Sequence, residues 1–370
     1  MDIYLASTKL PSLFTQLAEF LDQGKNVALI ILLETRGSTP QVAGAKALIT
    51  LEGLAAGTIG GGFFEAAIIE IAQKWLKLKR AELINWNFAA DLAEEGSVCG
   101  GQALVLVDGN PQKNHQVFKE VGGSLKQRRR GLLSILIEKT TSDQISLDYF
   151  FLPEGEVLAN LIKNKVQSKE VWSFISKEEM ADFFKDEKPR LIKGRTAEGR
   201  EEILFIEPIY PLPRLLVFGA GHVGQAVARL GLFLGFEVFL FDDRADLELP
   251  IELRSKVNFI AADMASSLEK FPLDKTSYLI IVTRGHRYDA EVLRVGLKKE
   301  FAYIGMIGSR RKVALMREEF LKKGWAKEED WAKLHSPIGL DLGAKTVEEI
   351  ALSIMAEVVA CRRQSRKEDG

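Results

Sequence analysis

Residues 219–224 read Gly-Ala-Gly-His-Val-Gly, and their place between two patterned segments constrains the fold more than any other feature. The run RLLVF before them is typical of a buried strand, and the apolar residues after them recur at helical spacing. In such a turn Gly219 permits a tight bend, Gly221 lets a phosphate approach the backbone, and Gly224 lets helix and strand pack closely. The start of the helix, at His222, then offers free N–H groups to an anion.

A second strand-like run, EVFLFDD, ends in Asp242 and Asp243, and Arg244 follows. Asp242 lies 18 positions beyond Gly224, close to the spacing at which an acid meets a ribose hydroxyl in dinucleotide-binding folds. The strand, the helix and the acid together predict a Rossmann-like, doubly wound parallel sheet of α/β class in the C-terminal half. A Rossmann scaffold that has lost or changed its ligand stays open as an alternative.

Further strand-like runs at 257–263, 278–283 and 301–308 alternate with mostly helical segments. Such alternation predicts parallel strands, so the loops after the strands should gather at the carboxyl edge of one sheet, where ligands bind. We therefore expect four loops with unusual residues to converge at this edge.

Two of these loops carry further candidate side chains. In Thr283-Arg284-Gly285-His286, the histidine is a candidate acid, base or donor to a ligand oxygen, and the alternative is that it caps the next helix or bonds Asp289. Gly308, Ser309 and Arg310 begin a helix and suit a phosphate or a carboxylate, although an exposed basic helix start explains them equally well.

The sequence PIYPLP at 208–213 cannot continue a helix or occupy a central strand, so we place a domain boundary there, with domains 1–207 and 208–370. The first domain mixes helical and strand patterns and is predicted to be α+β. Its predicted elements are a helix at 11–24, a buried strand at 27–35, a hairpin of 46–50 with 53–58, a helix at 63–79 and a strand at 102–108. The apolar stripe expected on the helix at 63–79 is Phe64, Ile68, Ile71, Trp75 and Leu78.

Two glycine-rich loops of this domain are candidate binding elements. Gly60, Gly61 and Gly62 precede a helix with Glu65 in its first turn, and successive glycines can turn N–H groups toward an anion. Tight turns alone also explain them.

Cys99, Gly100 and Gly101 precede a strand. The thiol could ligate a soft metal, carry a persulfide or simply pack. Because no C-x-x-C partner and no nearby histidine accompany it, a structural zinc site is not expected, and we assign no metal ligands.

The balance of 50 Lys and Arg against 51 Asp and Glu excludes a global field toward nucleic acid or an anionic membrane. Two cysteines cannot build a disulfide framework, which suits a reducing compartment. No apolar run reaches membrane-spanning length, and Asp2 stands where a signal peptide would be basic. We therefore expect a cytoplasmic protein without nucleic-acid or membrane partners.

Seven segments in this order resemble the XdhC/CoxI family of accessory proteins for xanthine dehydrogenase and related molybdenum hydroxylases. The resemblance runs from about Leu33 to Ala360 and is weakest between residues 110 and 207. The segments are GSTPQVAGAKALI, GTIGGGFFEAA, SVCGGQ, VFGAGHVGQAVARL with VFLFDDR, TRGHRYDAEVLR, YIGMIGSRRK and GLDLGAKTVEEIALSIMAEVV.

The resemblance implies an N-terminal domain of the family's own type, a C-terminal Rossmann domain, and binding of the molybdenum cofactor (molybdopterin). It further implies sulfuration of that cofactor with a cysteine desulfurase and delivery to the apo-hydroxylase, by a chaperone more than by a catalyst. The family residues that match are Gly60 to Gly62, Glu65, Cys99 to Gly101, Gly219 to Gly224, Asp242 to Arg244 and His286. We expect a homodimer. An NAD(P)-dependent oxidoreductase and an assembly factor with a vacant Rossmann site stay open as alternatives.

Overall fold

The structure is a computed structural model, and it describes residues 12–88, 100–139, 144–154, 183–184, 188–195 and 199–368. The chain divides into two compact units, Pro11–Pro211 and Leu212–Gly370. Among the described residues, no helix combines the length and the apolar character that crossing a bilayer requires.

The N-terminal unit contains two antiparallel sheets. Five strands form one sheet in the order β3-β2-β1-β5-β4, and four form the other in the order β7-β6-β9-β8. The strands are β1 Ala28–Arg36, β2 Lys46–Thr50, β3 Gly53–Gly57, β4 Ala81–Asn87, β5 Gln102–Asp108, β6 Gly131–Lys139, β7 Ile145–Pro153, β8 Arg190–Arg195 and β9 Glu201–Ile209. The described helices are α1 Leu13–Asp22, α2 Gly62–Leu78 and α3 His115–Lys126.

Each face of the five-stranded sheet is covered by a different layer. One face packs, through residues such as Leu29 and Ile31, against Leu133 and Phe205 of the four-stranded sheet and against α1 and α3. The other face, which includes Ile30, packs on α2. Because β1 is buried on both sides, its sequence is a nearly continuous apolar run, which makes it recognisable as a strand.

Most predicted elements of this unit are confirmed, and the exceptions have physical reasons. The stripe predicted for α2 is wrong at its end: the buried line is Phe64, Ile68, Ala72 and Leu76, while Leu78 is 53% exposed. Because a helix has 3.6 residues per turn, residues four apart shift gradually around its axis. The small residue Ala72 therefore lies in the interface, although an alanine contributes little to an apolar sequence pattern.

The strand-like runs QISLDYFFL and EEILFIEPI lie in β7 and β9, while no pattern predicts β4, β6, β8 or α3. The prediction that PIYPLP avoids a central strand is wrong at its start, because β9 extends to Ile209; β8 pairs with β9 only as far as Ile206, so Pro208 has a partner strand on one side only.

The C-terminal unit is a six-stranded parallel sheet with the order β12-β11-β10-β13-β14-β15. The strands are β10 Arg214–Phe218, β11 Glu237–Asp242, β12 Asn258–Ala261, β13 Ser277–Ile281, β14 Tyr303–Met306 and β15 Leu334–His335. In chain order this is 3-2-1-4-5-6, the arrangement of a doubly wound dinucleotide-binding sheet, with its switch point between β10 and β13. The predicted fold class is confirmed.

Helices cover both faces of this sheet. They are α4 His222–Phe233, α5 Ile251–Arg254, α6 Met264–Lys270, α7 His286–Gly296, α8 Arg310–Lys322, α9 Glu328–Trp331 and α10 Val347–Glu368. Alternate strand residues separate the two cores: Leu215 and Val217 pack with α4 and α10, while Leu216 and Phe218 pack with α6, α7 and α8.

The C-terminal helix α10 begins with a capping box formed by the T-x-x-E pattern of Thr346 and Glu349. Glu349 accepts from the backbone N–H of Thr346 (3.0 Å), and the Thr346 hydroxyl accepts from the N–H of Glu349 (3.2 Å). Ile354 and Val358 then lie in the core against the sheet.

Candidate functional site

The carboxyl edge of the parallel sheet brings together the four loops expected there. Strands β10, β11, β13 and β14 are parallel neighbours, so the loops that begin at Gly219, Asp243, Val282 and Ile307 leave the same edge. The edge holds the predicted candidates of this unit: the glycine loop, the acidic pair with Arg244, His286, and the Gly308–Arg310 segment.

The three glycines of the first loop meet different surroundings. A Cβ on Gly219, whose φ is 109°, would lie 2.4 Å from the carbonyl oxygen of Val282, and a Cβ on Gly224 would lie 1.8 Å from that of Gly219. Both positions therefore require glycine for packing. A Cβ on Gly221 would meet no heavy atom within 4 Å, so the space above this residue is open.

The helix α4 begins directly at this open position. Gly221 is its N-cap, and no side chain of the described residues caps it. The first N–H groups of a helix lack partners within the helix and carry a partial positive charge. His222 is exposed at the first helical position. An anion placed above Gly221 would therefore meet backbone donors without displacing a side chain.

Asp242 does not offer a free carboxylate to this space. One oxygen accepts from the backbone N–H of Ala220 (2.8 Å) and from Nη2 of Arg244 (3.0 Å). The other accepts from the backbone N–H (3.1 Å) and Nε (2.7 Å) of Arg244. A carboxylate has about four lone-pair positions, and four donors fill them. Burial acts to raise the pKa of Asp242, but the hydrogen bonds from Arg244 and Ala220 outweigh it and hold the pKa below its ordinary value.

Asp243, the second acid, is tied to the neighbouring loop. Its carboxylate accepts from Nη2 of Arg284 (2.8 Å), and the same nitrogen lies 3.3 Å from the Tyr288 hydroxyl. The guanidinium also lies over the Tyr288 ring, 5.2 Å from its centre. Half of the Arg284 side chain is exposed, so its guanidinium is accessible to an anion at this edge of the sheet.

A buried carboxylate connects the third and fourth loops. Asp289 on α7 is fully buried and accepts from the Thr283 hydroxyl (2.6 Å), the Thr283 N–H (3.2 Å) and Nζ of Lys312 (2.6 Å). Lys312, on α8, is a site residue that the sequence pattern did not single out. The only available signal was its place directly after Arg310 and Arg311, where three basic residues open a helix.

His286 and Ser309 have different surroundings. His286 is exposed at the first position of α7. Asp289, the alternative partner for His286 in the sequence, is instead held by Thr283 and Lys312. The Ser309 hydroxyl caps α8 by accepting from the N–H of Lys312 (3.3 Å), which places Gly308 and exposed Arg310 beside the same helix start.

The candidates of the N-terminal unit lie in a separate cluster of loops around residues 36–41. A Cβ on Gly101 would lie 2.4 Å from the carbonyl oxygen of Ser38, and a Cβ on Gly60 would lie 2.6 Å from the Cβ of Pro40. Gly100 meets no such limit. Cys99, which precedes it, lies outside the described residues.

The three-glycine loop of this cluster already holds a carboxylate. Gly60, Gly61 and Gly62 all have positive φ, and Glu65 accepts from the N–H of Ile59 (2.8 Å) and the hydroxyl of Thr58 (2.6 Å). Burial acts to raise the pKa of Glu65, but hydrogen bonds from Thr58 and the backbone of residues 59–61 outweigh it and lower the pKa. The N–H groups expected to receive an external anion thus receive one from the chain itself.

Among the described residues, no group of three or more His, Cys, Asp or Glu side chains is arranged to hold a metal ion.

This architecture defines the class of the protein: a Rossmann-like unit in the C-terminal half and an antiparallel α+β unit in the N-terminal half. The model of the XdhC Rossmann domain matches residues 215–358, and that of the XdhC and CoxI family matches residues 20–87. The chain belongs to the XdhC and CoxI family, as its sequence motifs predict.

Three curated proteins are similar to it. An uncharacterized protein, YqeB of Escherichia coli, is 30% identical over 57% of this chain, but the match spans only 40% of that protein. A protein of Bacillus subtilis, named as a probable subunit of xanthine dehydrogenase, is 24% identical over 95% of this chain and 97% of its own length. The molybdenum cofactor insertion chaperone PaoD of Escherichia coli is 22% identical over 93% of this chain and 86% of its own length.

The fold is also found in a solved structure. A crystal structure of a xanthine dehydrogenase from Bacillus halodurans matches 95% of this chain and 96% of its own, with a TM-score of 0.70 at 21% identity. This likeness shows the fold of the chain.

Proposed function

We propose that the protein serves the maturation of molybdenum hydroxylases by binding the molybdenum cofactor as cargo and delivering it to the apo-enzyme. Two relatives that align over almost the whole chain support this, since one is named a cofactor insertion chaperone and the other a probable subunit of xanthine dehydrogenase. The cargo carries a phosphate, a flat pterin and a dithiolene-bound molybdenum, so its site must recognise an anion at the end of a ring system.

The observation that carries the proposal is the open space above Gly221 at the start of α4. The phosphate of the cargo would sit there, on backbone N–H groups. Arg244, Arg284 and Lys312 surround this edge as cations whose side chains are 29% to 51% exposed. His286 lies exposed on the same edge, where it would hold or release a proton at an oxygen of the cargo.

The same geometry argues against the alternative of an NAD(P)-dependent oxidoreductase. Such an enzyme binds the ribose hydroxyls through a carboxylate at the end of the second strand. In this chain that carboxylate is Asp242, and its oxygens are already occupied by Ala220 and Arg244. The glycine loop alone still permits a nucleotide, so the two functions are separated by measuring nicotinamide binding directly.

Sulfuration and partner binding form the finer part of the proposal. Cys99 is assigned the role of carrying sulfur from a cysteine desulfurase or contacting the metal, because its Gly100–Gly101 neighbours lead to the loops at 36–41. Gly60 to Gly62 and Glu65 then shape that loop cluster. The homodimer remains a prediction.

The test is a transfer assay with purified apo-hydroxylase. The chain is loaded with molybdenum cofactor, mixed with the apo-enzyme, and the hydroxylase activity that appears is measured. Cofactor-dependent activation well above that from free cofactor supports the proposal. Activation no greater than that of free cofactor, together with tight binding of NADH or NADPH, would favour the oxidoreductase instead.

A further inference from the structure

A groove opens in the N-terminal unit where its two sheets separate. Its main hollow has a volume of about 520 Å³, and a neighbouring hollow of about 320 Å³ continues it toward the ends of β1, β4 and β5. The two share Asn85, Leu104 and Lys193 in their walls, so they form one groove. Pockets for small ligands commonly measure from about 300 to about 1,000 Å³.

The strand register lines one wall of the groove with polar side chains in two rows. Opposite residues of an antiparallel pair project from the same face of a sheet. Asn85 is paired with Leu104, which is paired with Glu34, and two residues further along Asn87 is paired with Gln102, which is paired with Arg36. The rows place three carboxamides side by side at the edge of a face that is otherwise apolar.

Cations line both walls of the groove. The carboxylate of Glu34 forms ion pairs with Nη2 of Arg36 (2.9 Å) and with Nζ of Lys193 (3.2 Å), so one carboxylate is shared by two cations. The carboxylate of Glu201 accepts a hydrogen bond from Nζ of Lys139 (2.6 Å). That hydrogen bond, then the charge of Lys139 and, to a smaller extent, that of Arg195 lower the pKa of Glu201.

These pairings leave the groove with an excess of positive charge. Its walls hold four cations against three carboxylates, the third being Glu202. The side chains of Arg36, Lys139 and Lys193 are 68%, 52% and 54% exposed. Exposed pairs of this kind are held weakly, so the cations can turn to an incoming anion at small cost.

The floor of the groove is apolar. Leu104 and Ile203 are each 8% exposed and belong to the core between the sheets, while Leu83 packs against that core. A flat ring can therefore lie on this floor with its edge toward the carboxamides. Carboxamides offer both donors and acceptors, which matches the ring nitrogens and exocyclic groups of a heterocycle.

We propose that this groove binds a flat nitrogen heterocycle that carries an acidic group. The ring lies on Leu104 and Ile203, its edge meets Asn85 and Gln102, and its anion meets Lys193. A pterin bearing an acid and a purine nucleotide share this chemistry. The site belongs to the N-terminal unit alone and does not rest on the function proposed for the Rossmann edge.

The test uses pterin-6-carboxylate, whose fluorescence reports binding through its polarisation. The groove variants are Lys193→Met and Asn85→Leu, both at exposed positions, and folding is checked by circular dichroism. The control variant Lys126→Met removes an exposed lysine from α3, away from the groove lining. Each groove variant is expected to weaken binding by on the order of tenfold, as loss of one charged or bidentate contact does, while Lys126→Met binds as the native chain does.

Competition identifies the source of the heterocycle. Guanosine 5′-monophosphate that displaces the probe points to a purine nucleotide, and failure to displace it points to a pterin; both support the proposal. It is overturned if binding is not saturable, if folded groove variants bind normally, or if ribose 5-phosphate displaces the probe as well as the nucleotide does. Binding that Gly221→Val abolishes and Lys193→Met spares would place the ligand at the Rossmann edge, which contradicts this inference and leaves the proposed function standing.

Discussion

The carboxylate of Asp242 accepts a hydrogen bond from the backbone N–H of Ala220, 2.8 Å away, inside the glycine loop. The end of the second parallel strand thereby holds the loop between the first strand and α4. With its other partners on Arg244, Asp242 holds the glycine loop in position.

Replacing Asp242 by asparagine should loosen this loop. An amide nitrogen would face either Ala220 or Arg244, both of which donate, so we expect a loss of about 2 kcal/mol in the free energy of unfolding. The matched change Asp243→Asn, at the more exposed pair with Arg284, should cost less than about 1 kcal/mol. Urea denaturation of the two variants checks this, and equal losses would contradict the assignment.

The pairing of Lys312 with buried Asp289 predicts strong coupling between the third and fourth loops. Lys312→Met leaves a buried carboxylate without its cation and should cost about 2 kcal/mol, given that the lysine is partly exposed. Adding Asp289→Asn removes the charge and should recover part of the loss. A double-mutant cycle measures the coupling, and additive effects would show that the pair does not join the loops.

Asp108 predicts a pH dependence of stability in the N-terminal unit. Its burial raises the pKa of the carboxyl to about 6, against hydrogen bonds from the N–H of Asn110 and the hydroxyl of Tyr149. The folded chain therefore favours the protonated acid, and its contribution to stability is lost as the pH rises from about 4 through about 6.

The variant Asp108→Asn removes this titration. Relative to the native chain it should gain on the order of 2 kcal/mol above pH 7 and little or nothing near pH 4. Urea denaturation across this range gives the difference. A stability difference that does not change with pH would show that the Asp108 carboxyl does not titrate there.

Some of this molecule was predictable because local sequence and tertiary structure agree. The strands of the parallel sheet are buried on both faces and read as apolar runs, and the capping box of α10 is a local motif. The strand β4 contains Glu82, Asn85 and Asn87 and lies at a sheet edge, so its pattern is weak. Its identity is fixed by pairing with β5, which a local pattern does not carry.

The candidate site shows the same division. The glycine loop and the convergence of loops followed from sequence, because parallel strands place their ends together. The engagement of Asp242 with Ala220, of Glu65 with the 58–61 loop, and of Asp289 with Lys312 depends on side-chain direction across loops. None of these contacts has a fixed sequence spacing.

An alanine at Gly224 should destabilise the fold, whereas an alanine at Gly221 should not. Gly224→Ala forces a Cβ to within 1.8 Å of the Gly219 carbonyl oxygen and should cost about 3 kcal/mol or more. Gly221→Ala meets no atom and should leave the midpoint of thermal unfolding nearly unchanged. Similar losses of stability in both variants would contradict the open space above Gly221.

The central claim, that the cargo phosphate binds above Gly221, is tested by the molybdenum cofactor content of two matched variants. Gly221→Ala and Gly123→Ala each add one methyl group where no heavy atom lies within 4 Å, but Gly123 is in α3 of the N-terminal unit. Both proteins are purified after co-expression with the cofactor pathway, and bound molybdenum and pterin are measured per chain. The account predicts native content in Gly123→Ala and a loss of on the order of tenfold in folded Gly221→Ala. Equal, native content in both variants would contradict it.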